Sequence, residues 1–338
     1  MGQLRELWLA YRLRLRRKRY LIRAWRKSRD LRCVSDKTSN IAPGAVLCFA
    51  TMRNEALRVP FFLAHHRALG VGHFIVVVNA ATDHTLAMLS AEPDVSVWTT
   101  QASYKAARFG VDWLTWLQHR YARGHWALTL DGDEALVYPD CDTRPLSALT
   151  AWLDSRGARG LGAMMLDLYP DGPIGGSRYT PGTPVWDTLT HFDADGYTWE
   201  RQRKFRNISI RGGPRRRVFF AQSPERSPHL HKIPLVRWRR GMVYASSTHL
   251  LLPRSHNAAF DARRGLPTGA LLHSKFLPDV TQKSREEKLR AEHFTHPEHY
   301  GTYYDALAEG PNLMGPGSTR YTGPAQLEAL GIMARGGW

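Results

Sequence analysis

The sequence predicts an α/β protein in which a mostly parallel central sheet lies between two layers of helices. Short apolar segments rich in β-branched residues alternate with helix-like segments from residue 45 to residue 131, a pattern typical of βαβ units. A chain of 338 residues with 43% hydrophobic content is large enough to bury an extensive core. A net charge of +17 is concentrated near the N-terminus, which sets residues 1–34 apart from the rest.

Residues 1–34 are predicted to form a basic amphipathic helix. Residues 1–32 hold twelve Lys or Arg against Glu6 and Asp30, a net charge of +10, and Leu, Trp, Tyr and Ile recur there every three or four residues. Such a helix suits the surface of an anionic membrane, and we expect a cytoplasmic protein held peripherally at the inner membrane face. A solvated basic tail is the alternative. No nucleic-acid-binding signature accompanies the charge, so no nucleic-acid partner is expected.

Several other classes of protein are excluded by simple counts. Three scattered cysteines fit neither a disulfide framework nor a Cys-x-x-Cys zinc site, and they favour a reducing compartment. The sequence contains no run of eighteen apolar residues, so no membrane-spanning helix is predicted. The basic N-terminus lacks the apolar region of a secretory signal.

The alternating elements follow a polar linker, residues 35–44. Apolar runs predict strands at 45–52, 73–79, 95–100 and 126–131. Helical spacing of apolar residues predicts helices at 55–70, 81–92 and 108–123. Because ligands of such sheets bind at the carboxyl ends of the strands, the residues just after each strand are the first candidates for a site.

Three carboxylates follow the fourth predicted strand directly, at Asp131, Asp133 and Glu134. Uncompensated burial of so much negative charge is costly. Mg²⁺ or Mn²⁺ would compensate it, because these ions take oxygen ligands and also hold substrate phosphates. Gly132 gives the backbone the freedom to turn two carboxylates toward one ion. An acidic turn that caps the next element is the competing interpretation.

Four segments appear together in the order of a known family. They are ATMRNEA (50–56), FFLAHHRALGVGHFIVVVNAATDHT (61–85), WALTLDGDEALVYP (126–139) and GALLHSKF with the charged helix after it (269–291). In these motifs the chain resembles the GT-A-fold glycosyltransferases, in the family 2-like branch with an extended D-x-D-E motif. The Q-x-x-R-W motif of many family 2 synthases is absent, so a processive polymer synthase is not expected.

The resemblance implies a GT-A-like three-layer α/β/α domain over residues 45–310, followed by a C-terminal tail, residues 311–338. Within that domain, residues 45–140 would form the nucleotide-binding half and residues 141–310 the acceptor half. The implied activity is divalent-metal-dependent transfer of a sugar from a nucleotide-sugar donor to a saccharide or lipid-linked acceptor, in envelope or extracellular polysaccharide synthesis.

The same resemblance implies roles for individual residues. The metal ligands for Mn²⁺ or Mg²⁺ would be Asp131, Asp133 and His273. Glu134 would orient the cluster or the acceptor. The nucleotide sugar would contact Thr51, Arg53, Glu55, Asn79, Asp83 and Lys275. Apart from the resemblance, an inverting transfer would need a base to deprotonate the acceptor hydroxyl; the candidates are Asp193, Asp195 and Glu200, of which we select Asp195 and Glu200.

Two other functions stay open at the level of the sequence. A phosphoryl-transfer enzyme of the haloacid dehalogenase kind also places Asp-x-Asp after an apolar strand, with its first Asp as the nucleophile. A non-catalytic, basic membrane-binding protein would explain the charge alone. A second basic cluster, residues 211–217, fits either an anion contact or a solvated loop.

Overall fold

A computed structural model describes residues 2–260, 264–290 and 301–338 of the chain. Its helices are α1 Gly2–Lys27, α2 Val59–Ala68, α3 Thr85–Ala91, α4 Val111–Tyr121, α5 Leu146–Ser155, α6 Val185–Thr188, α7 Val280–Arg290, α8 Gly301–Ala308 and α9 Pro324–Ala329. Its strands are β1 Arg32–Ser35, β2 Val46–Met52, β3 Val71–Asn79, β4 Val95–Thr100, β5 Trp126–Asp131, β6 Glu134–Val137, β7 Gly160–Asp167, β8 His191–Asp193, β9 Thr198–Gln202, β10 Asn207–Arg211, β11 His231–Arg237, β12 Val243–Ser246, β13 Leu250–Leu252, β14 Thr268–His273 and β15 Ser318–Arg320.

Nine of the strands in the described residues form one central sheet, in the order β1-β4-β3-β2-β5-β11-β7-β14-β6. Strands β2 to β5 pair in parallel, and β7 and β14 run parallel to each other and in the same direction as that group. Only β1, β11 and β6 run the opposite way within this sheet. The prediction of a mostly parallel central sheet is confirmed.

Helices cover both faces of this sheet. In β3, Val76 and Val78 belong to the core on one face, which α2 and α5 complete, whereas Ile75 and Val77 belong to the core on the other face, beneath α4. Because successive strand side chains point to opposite faces, a strand buried on both sides reads as a continuous apolar run. The three-layer α/β/α arrangement is therefore confirmed.

The predicted strands match the structure closely, whereas the predicted helices begin too early. Residues 95–100 and 126–131 are strands with the predicted bounds. Helix α2 begins at Val59 instead of residue 55, with Pro60 in its first turn. Helix α4 begins at Val111 because Gly110 before it has a φ of +75°, a left-handed conformation that stops a helix from extending backwards.

The N-terminal segment folds onto the body of the protein. Helix α1 confirms the predicted helix but ends at Lys27, and Arg32–Ser35 pairs with β4 as an edge strand of the sheet. Leu13 is buried against β12 and β13, and Ala24 is also buried. Thus residues 28–30 form only a short 3₁₀ turn and residues 32–34 belong to a strand, and the segment is not a solvated tail. No helix in the described residues is long and apolar enough to cross a membrane.

Candidate functional site

Strand register brings charged residues from distant parts of the chain together at the edge of the sheet that is formed by the carboxyl ends of most strands. In β14, His273 lies opposite Asp167 of the parallel strand β7 and opposite Glu134 of the antiparallel strand β6. Asp131 ends β5, which lies two strands from β7 in the sheet, and Lys232 lies near the start of β11, the strand between them. Candidate ligands of α/β sheets are expected at such an edge, where most strands present their carboxyl ends.

A buried chain of alternating charges forms one half of the site. The Nε2 atom of His273 lies 3.0 Å from Asp133 Oδ2, and its Nδ1 lies 2.6 Å from Asp167 Oδ1. The other Asp167 oxygen accepts a 2.7 Å hydrogen bond from Arg215 Nε. Asp167 and Arg215 are almost fully buried, whereas the Asp133 side chain is partly exposed. Of the two aspartates, Asp133 is therefore the one whose carboxylate a ligand can reach.

The titration of these groups follows from their neighbours. Burial alone would raise the pKa of Asp133, but His273 and Arg58 more than offset it, and the pKa lies well below its usual range. Burial would likewise raise the pKa of Asp167, yet Arg215 and His273 lower it to about 2. Burial lowers the pKa of His273, but the two aspartates outweigh it and raise that pKa above its ordinary value.

A buried lysine forms the other half. Lys232 Nζ donates a 2.7 Å hydrogen bond to Asp131 Oδ2 and also bonds to Glu134 Oε1. The Asp131 backbone N–H donates to the second Glu134 oxygen, at 3.1 Å. Burial raises the pKa of Glu134 against the opposing effect of Lys232. Burial would lower the pKa of Lys232, but Asp131 and Glu134 raise it. Lys232 therefore neutralises negative charge for which the sequence predicted only a metal ion.

The predicted metal ligands do not all converge. His273 and Asp133 lie together, whereas the Asp131 carboxylate binds Lys232. No group of three or more His, Cys, Asp or Glu side chains within residues 2–260, 264–290 and 301–338 is arranged to hold a metal ion. The Asp133–His273 pair supplies one carboxylate oxygen and one imidazole nitrogen at the spacing of neighbouring ligands. A metal role for Asp131 stays a prediction.

Two of the predicted nucleotide-binding residues, Thr51 within β2 and Arg53 just after it, lie at the same sheet edge. The Thr51 hydroxyl is buried, lies beside Gly110 and has no hydrogen-bond partner in the described part of the chain. Arg53 donates to the Ala80 carbonyl at 3.1 Å and lies 3.7 Å from Glu287. The unsatisfied Thr51 hydroxyl is the feature here that points to a ligand, because buried polar atoms are normally hydrogen-bonded.

Glu55 is held in a network of ion pairs. Its carboxylate lies 2.8 Å from Lys283 and 3.2 Å from Arg58. Arg58 is buried and donates two hydrogen bonds to Asp279, at 2.6 and 2.8 Å, and one to the Ser274 carbonyl. The network ties the start of α2 to the turn after β14. Arg58 was not predicted as a site residue, because a single arginine in the predicted helix 55–70 forms no recognisable motif.

Asn79 and Asp83 make hydrogen bonds that shape the backbone. The Asn79 amide donates to the carbonyls of Thr100 and Ala102, at 3.2 and 2.9 Å. The Asp83 carboxylate accepts backbone N–H bonds from Ala56 and Thr85, both at 3.0 Å. Such bonds of the Asp83 carboxylate are those of a turn cap. Contact of either residue with a nucleotide stays a prediction.

Lys275 is a half-buried cation near Asp133 and Asp167. Among the described residues, no carboxylate forms an ion pair with its ammonium group, although Asp133 and Asp167 lie within electrostatic range. Burial and the nearby Arg215 lower its pKa. A cation in this position is available to an anionic ligand.

The predicted catalytic bases are not part of the Asp133–His273–Asp167 series, although Asp195 and Asp167 both lie within electrostatic range of the Tyr197 side chain. Asp195 and Glu200 are exposed, with Glu200 on the β9–β10 hairpin, and no described contact joins either of them to Asp133. Nearby, Asp193 is buried and paired with Arg217 at 2.9 Å. A base role for Asp195 or Glu200 stays a prediction.

The second basic cluster proves to be largely structural. Arg215 pairs with Asp167, Arg217 pairs with Asp193, and Arg216 donates to the Thr198 hydroxyl. A solvated loop over residues 211–217 is therefore wrong for Arg215, which reaches the centre of the site. Asp167, which ends an apolar strand as Asp131 does, was also missed. That strand-end position is the sequence signal that would have found it.

No family model and no curated protein sequence matches the chain. Similar solved structures include S. aureus TarS, a glycosyltransferase, with 12% identity and a TM-score of 0.26 over 43% of this chain and 26% of TarS. They also include 4-diphosphocytidyl-2C-methyl-D-erythritol synthase, a nucleotidyltransferase, with 18% identity and a TM-score of 0.24 over 41% of this chain and 65% of the synthase.

HddC from Yersinia pseudotuberculosis is similar over 72% of this chain and 98% of its own, with 10% identity and a TM-score of 0.27. This chain spans less than two thirds of the length of TarS and of the synthase. At such TM-scores these likenesses carry no argument about activity. The α/β architecture rests on the strand order and the packing of helices on both faces of the sheet.

Proposed function

We propose that this chain is a glycosyltransferase that takes its sugar from a nucleotide-sugar donor and requires Mn²⁺ or Mg²⁺. The single observation that carries the proposal is the pairing of Asp133 with His273 Nε2, at 3.0 Å, on the ligand-binding edge of the sheet. An aspartate from a strand-end Asp-x-Asp and a late histidine meet there although 140 residues separate them in sequence.

The donor set fits a divalent ion. Asp167 accepts a hydrogen bond from His273 Nδ1, so Nε2, which faces Asp133, would bind a metal by giving up its proton; a carboxylate behind the ring is common around metal-binding histidines. Asp133 and His273 would hold the ion, and the diphosphate of the donor would supply further oxygen ligands. When bound, the ion would neutralise charge that develops on the departing nucleoside diphosphate.

Other side chains of the protein would assist departure of the nucleoside diphosphate. Lys275 lies near Asp133 and Asp167 without a carboxylate partner among the described residues, and the Thr51 hydroxyl is unsatisfied at the end of β2. Both groups are suited to phosphate or ribose oxygens of a donor. Lys232 holds Asp131 and Glu134 in place, so that these carboxylates do not repel the diphosphate as free charges.

The acceptor belongs to the proposal only by class. A saccharide or a lipid-linked saccharide, used in envelope or extracellular polysaccharide synthesis, agrees with a basic protein whose N-terminal helix exposes apolar and positively charged residues. Deprotonation of its hydroxyl would need a base on the acceptor side of the donor, for which Asp195 and Glu200 remain the candidates.

An activity assay tests the proposal. The full chain is incubated with UDP-, GDP-, CDP- and dTDP-sugars, with Mn²⁺ or with excess EDTA, and release of the nucleoside diphosphate is measured. We expect release from one donor class only with the metal, and a loss of about a hundredfold or more in Asp133→Asn. The exposed Asp142→Asn serves as control and should retain activity. Undiminished release in Asp133→Asn or in EDTA would refute the metal role.

A further inference from the structure

Helix α1 presents two apolar faces in opposite directions. One face packs on the body of the protein, where Leu13 is buried among Val243, Ala245 and Leu252, with Tyr20 packed alongside. At about 100° per residue, the second set of apolar residues falls on the opposite side of the helix. These exposed residues, here called the outer stripe, are Leu4, Leu7, Trp8, Tyr11, Leu15, Ile22 and Trp25.

The outer stripe is unusual for a protein surface. Scattered single apolar side chains are common there, but seven large ones in a stripe about 100° wide form a contiguous patch of the kind that marks an interaction site. Trp8 is 61% exposed and Leu4 is 74% exposed.

Positive charge borders the outer stripe. Four exposed arginines lie along its two edges, and the exposed Lys18 and Arg26 lie on the same face as its apolar residues; the four are Arg5, Arg12, Arg14 and Arg19. None of the six forms an ion pair with a carboxylate in the part of the chain that the structure describes. Their charge is therefore available to an external anionic partner, and it lies beside apolar side chains that the body of the protein does not cover.

Contacts on the inner face fix the direction in which the outer stripe points. Arg23 forms a 3.1 Å ion pair with the buried Asp112 of α4 and donates to the Ala106 carbonyl. Arg108 lies 3.9 Å above the Tyr20 ring, and Glu6 pairs with Arg254 at 2.6 Å. The helix is held along its length, so the stripe cannot turn inward without breaking these bonds.

We propose that α1 docks the protein on an anionic lipid bilayer, lying parallel to the surface with the outer stripe inserted among the acyl chains. This proposal is independent of the proposed function. An apolar face bordered and interrupted by Arg and Lys matches a bilayer whose interior is apolar and whose headgroups are negative. A rigid helix of 26 residues, about 39 Å long, would contact many lipids at once. A protein partner would need one complementary groove of that length.

Vesicle sedimentation tests the proposal with the full chain. Vesicles of phosphatidylcholine alone and with 30% phosphatidylglycerol are the probes, at low and high salt. We expect binding to the anionic vesicles that weakens with salt. Arg12→Gln/Arg19→Gln/Arg26→Gln should lose on the order of a hundredfold in partitioning at low salt. The exposed arginines of Arg123→Gln/Arg156→Gln/Arg320→Gln provide a control with the same change in charge.

A second pair of variants tests the apolar contribution. Trp8→Ser/Ile22→Ser should reduce partitioning by about tenfold or more, whereas Trp199→Ser/Leu330→Ser, which changes exposed residues elsewhere, should not. Circular dichroism and the melting temperature check that each variant is folded. The proposal is overturned if Trp8→Ser/Ile22→Ser binds like the wild type. It is also overturned if the chain ignores both kinds of vesicle, or if it forms a dimer that this variant dissociates without any vesicle binding.

Discussion

Lys232 occupies a position at which a cation is required whether or not a metal binds. It is almost fully buried between the carboxylates of Asp131 and Glu134. Removing one partner of a buried ion pair leaves the other charge without compensation in a medium of low polarity, and that loss commonly costs more than the pair itself contributes. The lysine therefore determines whether the edge of the sheet can hold its acidic cluster.

Lys232→Met is expected to destabilise the protein by about 3–5 kcal/mol, because Glu134 would remain buried without a positive partner. Urea unfolding followed by circular dichroism measures the change. In the double variant Lys232→Met/Glu134→Gln much of the loss should be recovered, since the unpaired charge is gone. The exposed Lys18→Met should change stability by less than about 0.5 kcal/mol.

Two results would contradict this account of Lys232. If Lys232→Met were as stable as Lys18→Met, the carboxylates would be neutral or compensated by another group. If the double variant were no more stable than Lys232→Met alone, the lysine would act through packing of its alkyl chain and not through its charge.

At the scale of elements, a cluster of histidines joins strands β10, β11 and β13. The rings of His229, His231 and His249 lie within 5.3 to 6.2 Å of one another. Burial and neighbouring positive charge lower the pKa of His229 to about 4, of His231 to about 2 and of His249 to about 3. The Nδ1 atom of His231 accepts the backbone N–H of Ile210, which protonation there would prevent.

These shifts predict that the fold weakens in mild acid. Each of these histidines binds a proton more readily when unfolded, near its ordinary pKa of about 6.5, than when folded. Stability should therefore fall as the pH drops below about 6.5, by roughly 1.4 kcal/mol per pH unit for each fully shifted group. His231→Gln should make that slope shallower by about this amount, as measured by urea unfolding between pH 7 and pH 5. The exposed His84→Gln is the control, and equal slopes in the two variants would contradict the assignment.

Elements whose pattern is local were predictable from the sequence. Strands β4 and β5 have the predicted bounds because each is a short run of β-prone residues that is buried on both faces. The helix starts were less accurate, since they depend on interactions beyond the helix. Residues 81–84 precede α3 as a turn whose Asp83 accepts hydrogen bonds from Thr85 and from the distant Ala56. Apolar periodicity carries no information about such a contact.

At the scale of the molecule, the candidate site joins residues far apart in sequence. Asp133 and His273 were predicted because each lies in a recognisable segment at the end of a strand. Asp167 was missed although it also ends an apolar strand, whereas Arg215 and Lys232 carry no such signal and act through partners 48 and 101 residues away. Their position follows from the strand order β5-β11-β7-β14, which no local pattern specifies. The Asp133–His273 pair was thus accessible to sequence reasoning, and Arg215 and Lys232 were not.

The central claim is that this edge of the sheet binds a nucleoside diphosphate together with a divalent ion through Asp133. A thermal-shift measurement tests it most directly, because a ligand that binds only the folded protein raises its melting temperature. Wild type, Asp133→Asn and Asp142→Asn are each heated with UDP, GDP, CDP or dTDP, with and without Mn²⁺. We predict a rise of several degrees for at least one nucleotide, in the presence of Mn²⁺ only, in wild type and Asp142→Asn but not in Asp133→Asn. The account is contradicted if no nucleotide stabilises the wild type with Mn²⁺, or if Asp133→Asn is stabilised equally.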